Sequence, residues 1–244
     1  MTIIIFLIIL SVLVIAHEFG HFWIAKKAGV GVKEFGIGFP PRARKLFSWM
    51  GTDFTLNWLP FGGFVKMEDE GERKISVLIA GVVANFILAW ILFTIVLMLG
   101  IEGQDGFVQR GLFDGLWHGL LTTGKITWLT IGAIWHLLAG AFTGQGSLAD
   151  VVGPVGLVGL VGEAKMLGLS YVLYFTALIS VNLAIINLIP VPALDGGRIL
   201  LVIIERVRGK RISPKLFNMI NLASFALLIL LMVIITVRDI HRLL

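Results

Sequence analysis

One stretch near the N-terminus determines how the whole chain has to be interpreted. Residues 2–25 read TIIIFLIILSVLVIAHEFGHFWIA. A helix needs about 20 mostly apolar residues to cross a bilayer. The apolar run from Ile3 to Ala16 is too short, so this segment spans a membrane only if the helix continues through His17, Glu18 and His21. A signal peptide is the alternative, but the basic residues that normally open one are missing.

The composition of the 244-residue chain agrees with a membrane protein. Hydrophobic residues make up 57% of it and charged residues only 14%, and the mean hydropathy is +0.96. Soluble domains carry about 25% charged residues. The absence of cysteine excludes a disulfide scaffold and a cysteine-based metal site. The net charge of +5 does not indicate nucleic-acid binding, because the basic residues flank apolar segments.

Three further apolar stretches predict membrane spans, at about residues 75–101, 169–188 and 216–237. With residues 2–25 they make four spans. The predicted fold class is an α-helical polytopic membrane protein, organised as a single membrane-embedded domain over residues 1–244.

The basic residues predict the orientation of these spans. Nine lysines and arginines lie in residues 25–75 and six in residues 195–215, whereas residues 101–168 hold three. Loops rich in lysine and arginine stay in the cytoplasm. We therefore expect a multi-pass membrane protein with both termini outside.

Residues 32–67 carry strand patterns. Thr52–Leu59 alternates apolar and polar residues, and Val32–Phe39 and Phe61–Met67 resemble further strands. Pro40–Lys45 is predicted to be a basic turn, which either contacts anionic lipid headgroups or is an ordinary solvated turn.

Residues 112–142 do not form a clean span. They contain three tryptophans and few charges, and we interpret them as interfacial or membrane-embedded helices, with a fifth span as the alternative. In the following run, Val152–Gly162, glycines recur every third residue, which favours close packing of helices.

The polar interruption of the first span is the motif H-E-x-x-H. On a helix, His17 and His21 share a face and can bind one zinc ion, while Glu18 activates a water bound to that zinc. Two imidazoles and a carboxylate inside an apolar span are expensive and usually functional.

A catalytic zinc normally has three protein ligands. The third is predicted to be Asp195, which follows the third span in N-L-I-P-V-P-A-L-D-G-G, residues 187–197. Prolines end the helix and glycines let the backbone turn, and irregular backbone at membrane depth is tolerated where it lines a cavity.

Together these motifs resemble the site-2 protease family of intramembrane zinc metalloproteases, and the whole chain looks most like the bacterial regulator-of-sigma-E protease group. Further matches are Pro60–Met67, Ala80–Phe86, in which Val82 replaces the family's proline, and Gly153–Gly156.

The resemblance implies Zn²⁺ ligation by His17, His21 and Asp195, with Glu18 as general base. It also implies that Asn187 binds substrate backbone, with helix packing as the structural alternative for this amide. The strands in residues 32–67 would form a membrane-embedded β element.

The resemblance further implies a location in the bacterial inner membrane and single-span membrane protein substrates, such as anti-sigma factors or signal-peptide remnants, cleaved toward the cytoplasm. Members of this group usually carry PDZ domains after the second span. Here only residues 103–111 intervene, too few for a domain.

Two other functions remain open from the residues alone. Intramembrane histidine and carboxylate side chains also suit a metal-ion transporter, although no repeat of the motif is present. A non-catalytic scaffold is the third possibility, although metal holding alone does not require Glu18. His118 and His136 are interpreted as packing residues rather than ligands.

Overall fold

A computed structural model describes residues 1–68, 74–103, 106–143 and 151–243. These residues form long helices with a small amount of β structure. The helices are α1 Thr2–Lys27, α2 Ile75–Leu99, α3 Leu112–Thr143, α4 Pro154–Leu167, α5 Leu169–Leu188, α6 Asp195–Arg208 and α7 Pro214–Leu243. The strands are β1 Val32–Trp49, β2 Thr52–Met67, β3 Ile101–Gly103 and β4 Gly106–Val108.

Helices α1, α2, α5 and α7 are long and apolar enough to cross a bilayer. They coincide with the four predicted spans to within a few residues, so the prediction of a multi-pass helical membrane protein is confirmed. Helix α1 continues without a break through His17, Glu18 and His21. This continuation was the condition for the first segment to be long enough to span a bilayer.

Residues 112–142 lie in one helix, α3, of 32 residues. It is not among the described helices that are apolar enough to count as a span, because glycines, threonines and tryptophans interrupt its aliphatic residues. Trp117, Trp128 and Trp135 are each more than half exposed. The interfacial placement of α3 stays a prediction, and so does the alternative of a fifth span.

The β element predicted for residues 32–67 consists of two long strands, and its position in the membrane stays a prediction. β1 and β2 pair antiparallel through a turn at Met50 and Gly51, which have positive φ values of 51° and 71°. The predicted turn at Pro40–Lys45 is wrong, because this stretch lies inside β1. The prolines bend the strand instead of ending it, since the register is irregular between Phe39 and Arg42.

Strand β1 lies between two parts of β2. Residues 34–37 pair both with residues 53–56 and with residues 63–66. Within the described part of the chain, residues 63–67 pair only with β1. These five residues therefore form an edge of the β element.

The β element and helix α1 belong to one compact unit, formed by residues 7–85 and 186–225. Its apolar core contains Phe22 of α1, Phe35 and Phe54 of the strands and Val77 of α2. The ring of Phe22 lies edge-on to those of Phe35 and Phe54, with centroids 5.9 and 5.5 Å apart. This aromatic packing fixes the β element against the helix that carries H-E-x-x-H.

A second compact unit comprises residues 1–6, 86–185 and 226–244. Its core includes Ala89 and Phe93 of α2 and Ala177 and Val181 of α5. Between α2 and α3, two β strands of three residues each form a small hairpin, and residues 104 and 105 of the short predicted connection lie outside the described residues. The described residues include no PDZ region, in agreement with the sequence.

A buried carboxylate meets the start of α4 in this second unit. The backbone N–H of Gly156 donates to Oδ2 of Asp239, at 2.9 Å, and Asp239 is 6% exposed. A Cβ atom on Gly153 would lie 2.7 Å from the same oxygen. The glycines at 153 and 156 therefore give Asp239 access to the helix N-terminus, where negative charge is stabilising. No described atom lies within 4 Å of a Cβ built on Gly159, so close packing does not extend along the whole predicted glycine run.

Replacing Asp239 with Asn is expected to lower the free energy of unfolding by roughly 1–2 kcal/mol, because the charge at the helix N-terminus and a charge-assisted hydrogen bond are lost. Unfolding by a denaturing detergent, followed by tryptophan fluorescence, measures the change. The control is Glu163→Gln, since Glu163 is an exposed carboxylate in the second half of α4, away from a helix N-terminus. The control should leave the unfolding free energy unchanged, and equal effects of the two substitutions would contradict the assignment.

Candidate metal centre

Helix α1 supplies three of the candidate residues. One helical turn separates His17 from His21, so both imidazoles project from the same face. Both are buried, at 7% and 5% exposure, whereas Glu18 lies beside them and is half-buried. A buried imidazole needs polar partners, and neighbouring elements provide them.

Helix α2 approaches α1 closely through small residues. A Cβ atom on Gly20 would lie 2.3 Å from the carbonyl oxygen of Ala80 and 2.7 Å from Cβ of Ala84. Gly81 faces the histidines, because its Cβ would lie 2.5 Å from Nε2 of His21 and 2.7 Å from Nε2 of His17. Glycine at 81 thus keeps open the space in front of both nitrogen atoms.

Asp195 reaches the histidines because helix α5 ends at Leu188 and the chain turns back. Short backbone hydrogen bonds order this turn, including Val191 N–H to the Ile189 carbonyl and Leu194 N–H to the Val191 carbonyl. Gly196 packs against the backbone so tightly that a Cβ there would lie 2.2 Å from the carbonyl oxygen of Leu188. Asp195 is the first residue of α6, immediately after this turn.

Three ligand atoms converge in this arrangement. Oδ2 of Asp195 lies 2.9 Å from Nε2 of His17 and 3.1 Å from Nε2 of His21, and the two Nε2 atoms are 3.1 Å apart. Two imidazoles and a carboxylate form a common ligand set of catalytic zinc. Ligand atoms of a tetrahedral zinc, at about 2.1 Å from the metal, are about 3.4 Å apart. The donor set and its spacing therefore fit a zinc ion.

The surroundings of Asp195 and His21 suit metal binding. Burial raises the pKa of Asp195, but its hydrogen bonds to His17 and His21 lower it more, so that the pKa lies below its usual range and the carboxyl is ionised. Nδ1–H of His21 donates to the carbonyl oxygen of Val77, at 2.7 Å. Because this bond keeps a proton on Nδ1, a metal would bind at Nε2 by replacing the proton that His21 shares with Asp195.

Two predicted residues stand outside the three-ligand cluster. Strand β2 passes beside Glu18, since a Cβ on Gly63 would lie 3.5 Å from its Cγ. Asn187 is half-buried in the last turn of α5, and its role in substrate binding stays a prediction.

His118 contacts Asp114 at the exposed start of α3, at 3.2 Å, and His136 is exposed. Within the described ranges, neither histidine belongs to a metal-ligand cluster.

Val77 and Gly81 are parts of the site that could not be predicted from the sequence. Val77 acts through its backbone carbonyl, which no side-chain type reveals, and Gly81 matters because it has no Cβ atom to fill the space beside the histidines. Asn85, matched only through the family segment, lies with its Nδ2 3.3 Å from Nδ1 of His17.

Comparison with known proteins agrees with this geometry. The family model described as peptidase family M50 matches residues 5–231. A protein of Clostridium perfringens, classed by its name with the zinc metalloproteases, is 30% identical over 337 aligned residues, which cover 98% of each chain. That alignment is longer than this chain, so the relative carries additional residues opposite gaps.

Two relatives that match only part of this chain are also named zinc metalloproteases. Zinc metalloprotease RasP of Oceanobacillus iheyensis is 43% identical over 144 residues, which are 58% of this chain and 33% of RasP. RasP of Shouchella clausii is 39% identical over 145 residues, 59% of this chain and 33% of that protein. The chain belongs to peptidase family M50, as a membrane zinc metalloprotease of the site-2 type whose metal is Zn²⁺.

Proposed function

We propose that this protein hydrolyses a peptide bond within or near a transmembrane segment of a membrane protein. The observation that carries the proposal is the cluster of His17, His21 and Asp195, two members of which lie on a helix apolar enough to span a bilayer. Glu18, on the same helix, supplies the general base.

The depth of the cluster supports cleavage inside the membrane. His17 lies fifteen helical steps after Thr2, which corresponds to about 22 Å along a helix. The hydrocarbon core is about 30 Å thick. With the basic loops in the cytoplasm and both termini outside, the cluster lies in the cytoplasmic half.

The proposed chemistry assigns one role to each residue. His17, His21 and Asp195 would hold Zn²⁺, which polarises the scissile carbonyl and makes water more acidic. Glu18 accepts the proton of the attacking water and delivers it to the leaving amide nitrogen. The side-chain amide of Asn187, in the last turn of α5, would bind the substrate backbone.

A substrate helix has to unwind first, because its carbonyls are held in internal hydrogen bonds. At the edge formed by residues 63–67, backbone groups that pair with no strand in the described part of the chain are available to an extended segment. Gly63 lies beside Glu18, so a strand added there would bring its peptide bonds to the general base. The proposed substrates are single-span membrane proteins, and anti-sigma factors or signal-peptide remnants follow from the family resemblance.

Glu18→Gln is expected to lower the cleavage rate roughly 10²- to 10⁴-fold, because the proton acceptor is lost while the metal ligands stay. The measurement uses the protein in lipid vesicles with a panel of single-span peptides, with and without a zinc chelator. Bound zinc should be unchanged in the variant. The matched control is Glu163→Gln, an exposed glutamate of α4, which should cleave normally. Normal cleavage by Glu18→Gln would refute the assignment.

Proline substitution tests the edge strand. The N–H groups of neighbouring residues in a strand point to opposite sides, so one of Phe64 and Val65 donates toward β1 and the other outward. Proline at the outward position is expected to keep the thermal stability and to lower kcat/KM roughly 3- to 10-fold, since one substrate hydrogen bond is lost. Proline at the inward position should destabilise the protein. Unchanged kcat/KM in a stable variant would exclude strand addition at this edge.

A further inference from the structure

The two histidines of the metal cluster are held by different groups on α2. The acceptor for Nδ1 of His21 is a backbone carbonyl, that of Val77. A carbonyl can only accept, so Nδ1 of His21 carries a proton, and Nε2 is the atom that a metal can bind once the proton shared with Asp195 has left. The backbone of α2 therefore fixes the tautomer of this histidine.

The corresponding neighbour of His17 is a side chain. Nδ1 of His17 faces the amide group of Asn85, with Nδ2 at 3.3 Å. If Nδ2–H donated to Nδ1, the proton of a neutral imidazole would lie on Nε2, where it would exclude a metal. Rotating the amide by 180° replaces Nδ2 with Oδ1, which accepts from Nδ1–H and leaves the Nε2 lone pair for the metal.

Burial makes this contact decisive. Asn85 is 0% exposed and His17 is 7% exposed, and the close approach of α1 and α2 at Gly20 leaves little freedom between them. In such surroundings a polar group depends on its protein partner. The side chain at position 85 therefore determines whether Nδ1 of His17 can carry a proton, while Nε2 faces Asp195.

We propose that Asn85 is a positioning residue that holds His17 as its Nδ1–H tautomer through Oδ1 and thereby sets the metal affinity of the site. This inference rests on the proposed role of His17 as a ligand. Asn85 acts through His17 and has no contact with the metal in this scheme. The same side chain also orients the imidazole ring, because a hydrogen bond at Nδ1 limits rotation about the Cβ–Cγ bond.

Substitutions at position 85 separate this role from simple packing. Asn85→Leu keeps the branched shape of the side chain and removes its hydrogen-bonding atoms, whereas Asn85→Asp places an acceptor at both terminal positions. Binding of Co²⁺ to the purified full chain in lipid nanodiscs gives affinity and a visible absorption spectrum. Asn85→Leu is expected to weaken Co²⁺ binding roughly 10- to 100-fold and to change the spectrum, and Asn85→Asp to bind within a few-fold of the unmodified protein.

A matched control is Asn182→Leu, because Asn182 is an exposed asparagine that accepts a hydrogen bond from Thr130. This variant should bind Co²⁺ normally. Unchanged affinity and spectrum in Asn85→Leu would overturn the proposal, and so would an Asn85→Asp variant as weak as Asn85→Leu.

A measurement on the unmodified chain keeps the test valid if the Leu variant does not fold. Nitrogen NMR of ¹⁵N-histidine-labelled protein, with the His17 signal assigned by substitution, reports which ring nitrogen carries the proton. With Zn²⁺ bound, the expected result is a proton on Nδ1 of His17 and the metal on Nε2, and a metal on Nδ1 with the proton on Nε2 would overturn the proposal. Normal Co²⁺ binding without peptide cleavage would instead count against the proposed function and leave the role of Asn85 intact.

Discussion

The structure depends on the cost of keeping ionisable groups inside an apolar helix. An imidazole or carboxylate removed from water needs partners close at hand. The Nε2 atoms of His17 and His21 and Oδ2 of Asp195 lie within 3.1 Å of one another, and α2 contributes the Val77 carbonyl as the partner of Nδ1 of His21. Small residues line the contact between α1 and α2. They are needed because the polar partners on the two helices must come within about 3 Å of each other, which larger side chains would prevent.

Much of the site follows from local sequence because its spacing is local. His17 and His21 are one turn apart, so a continuous helix is sufficient to put them on one face. Asp195 could be predicted only as an exception, a carboxylate next to helix-breaking prolines at the end of an apolar stretch. What sequence could not supply is the α2 side of the centre, since neither a backbone carbonyl at Val77 nor the absent side chain of Gly81 has a signature.

The β element, too, could be predicted only in part from local sequence. Alternation of apolar and polar residues predicted its extent, but the stretch Pro40–Lys45 was misassigned as a turn. Proline and positive charge usually mark turns, and here pairing on both sides of the prolines keeps the chain extended. One consequence is mechanical: helix α1 carries Glu18, and the ring of Phe22 on the same helix packs against the strands. The proposed general base and the proposed substrate edge thus share one support within this unit.

Gly81 has a consequence for how relatives of this protein are classified. A methyl group at this position would lie within 2.7 Å of the Nε2 atoms of both histidines, so alanine there is expected to obstruct a metal bound by them while leaving the proposed ligands in place. Gly to Ala requires a single base change. A homologue with such a change would still carry H-E-x-x-H and the aspartate, and it would be counted as an active enzyme although its centre was blocked. Deciding which members of the family are catalytically silent therefore requires inspection of α2 as well as the ligand motifs.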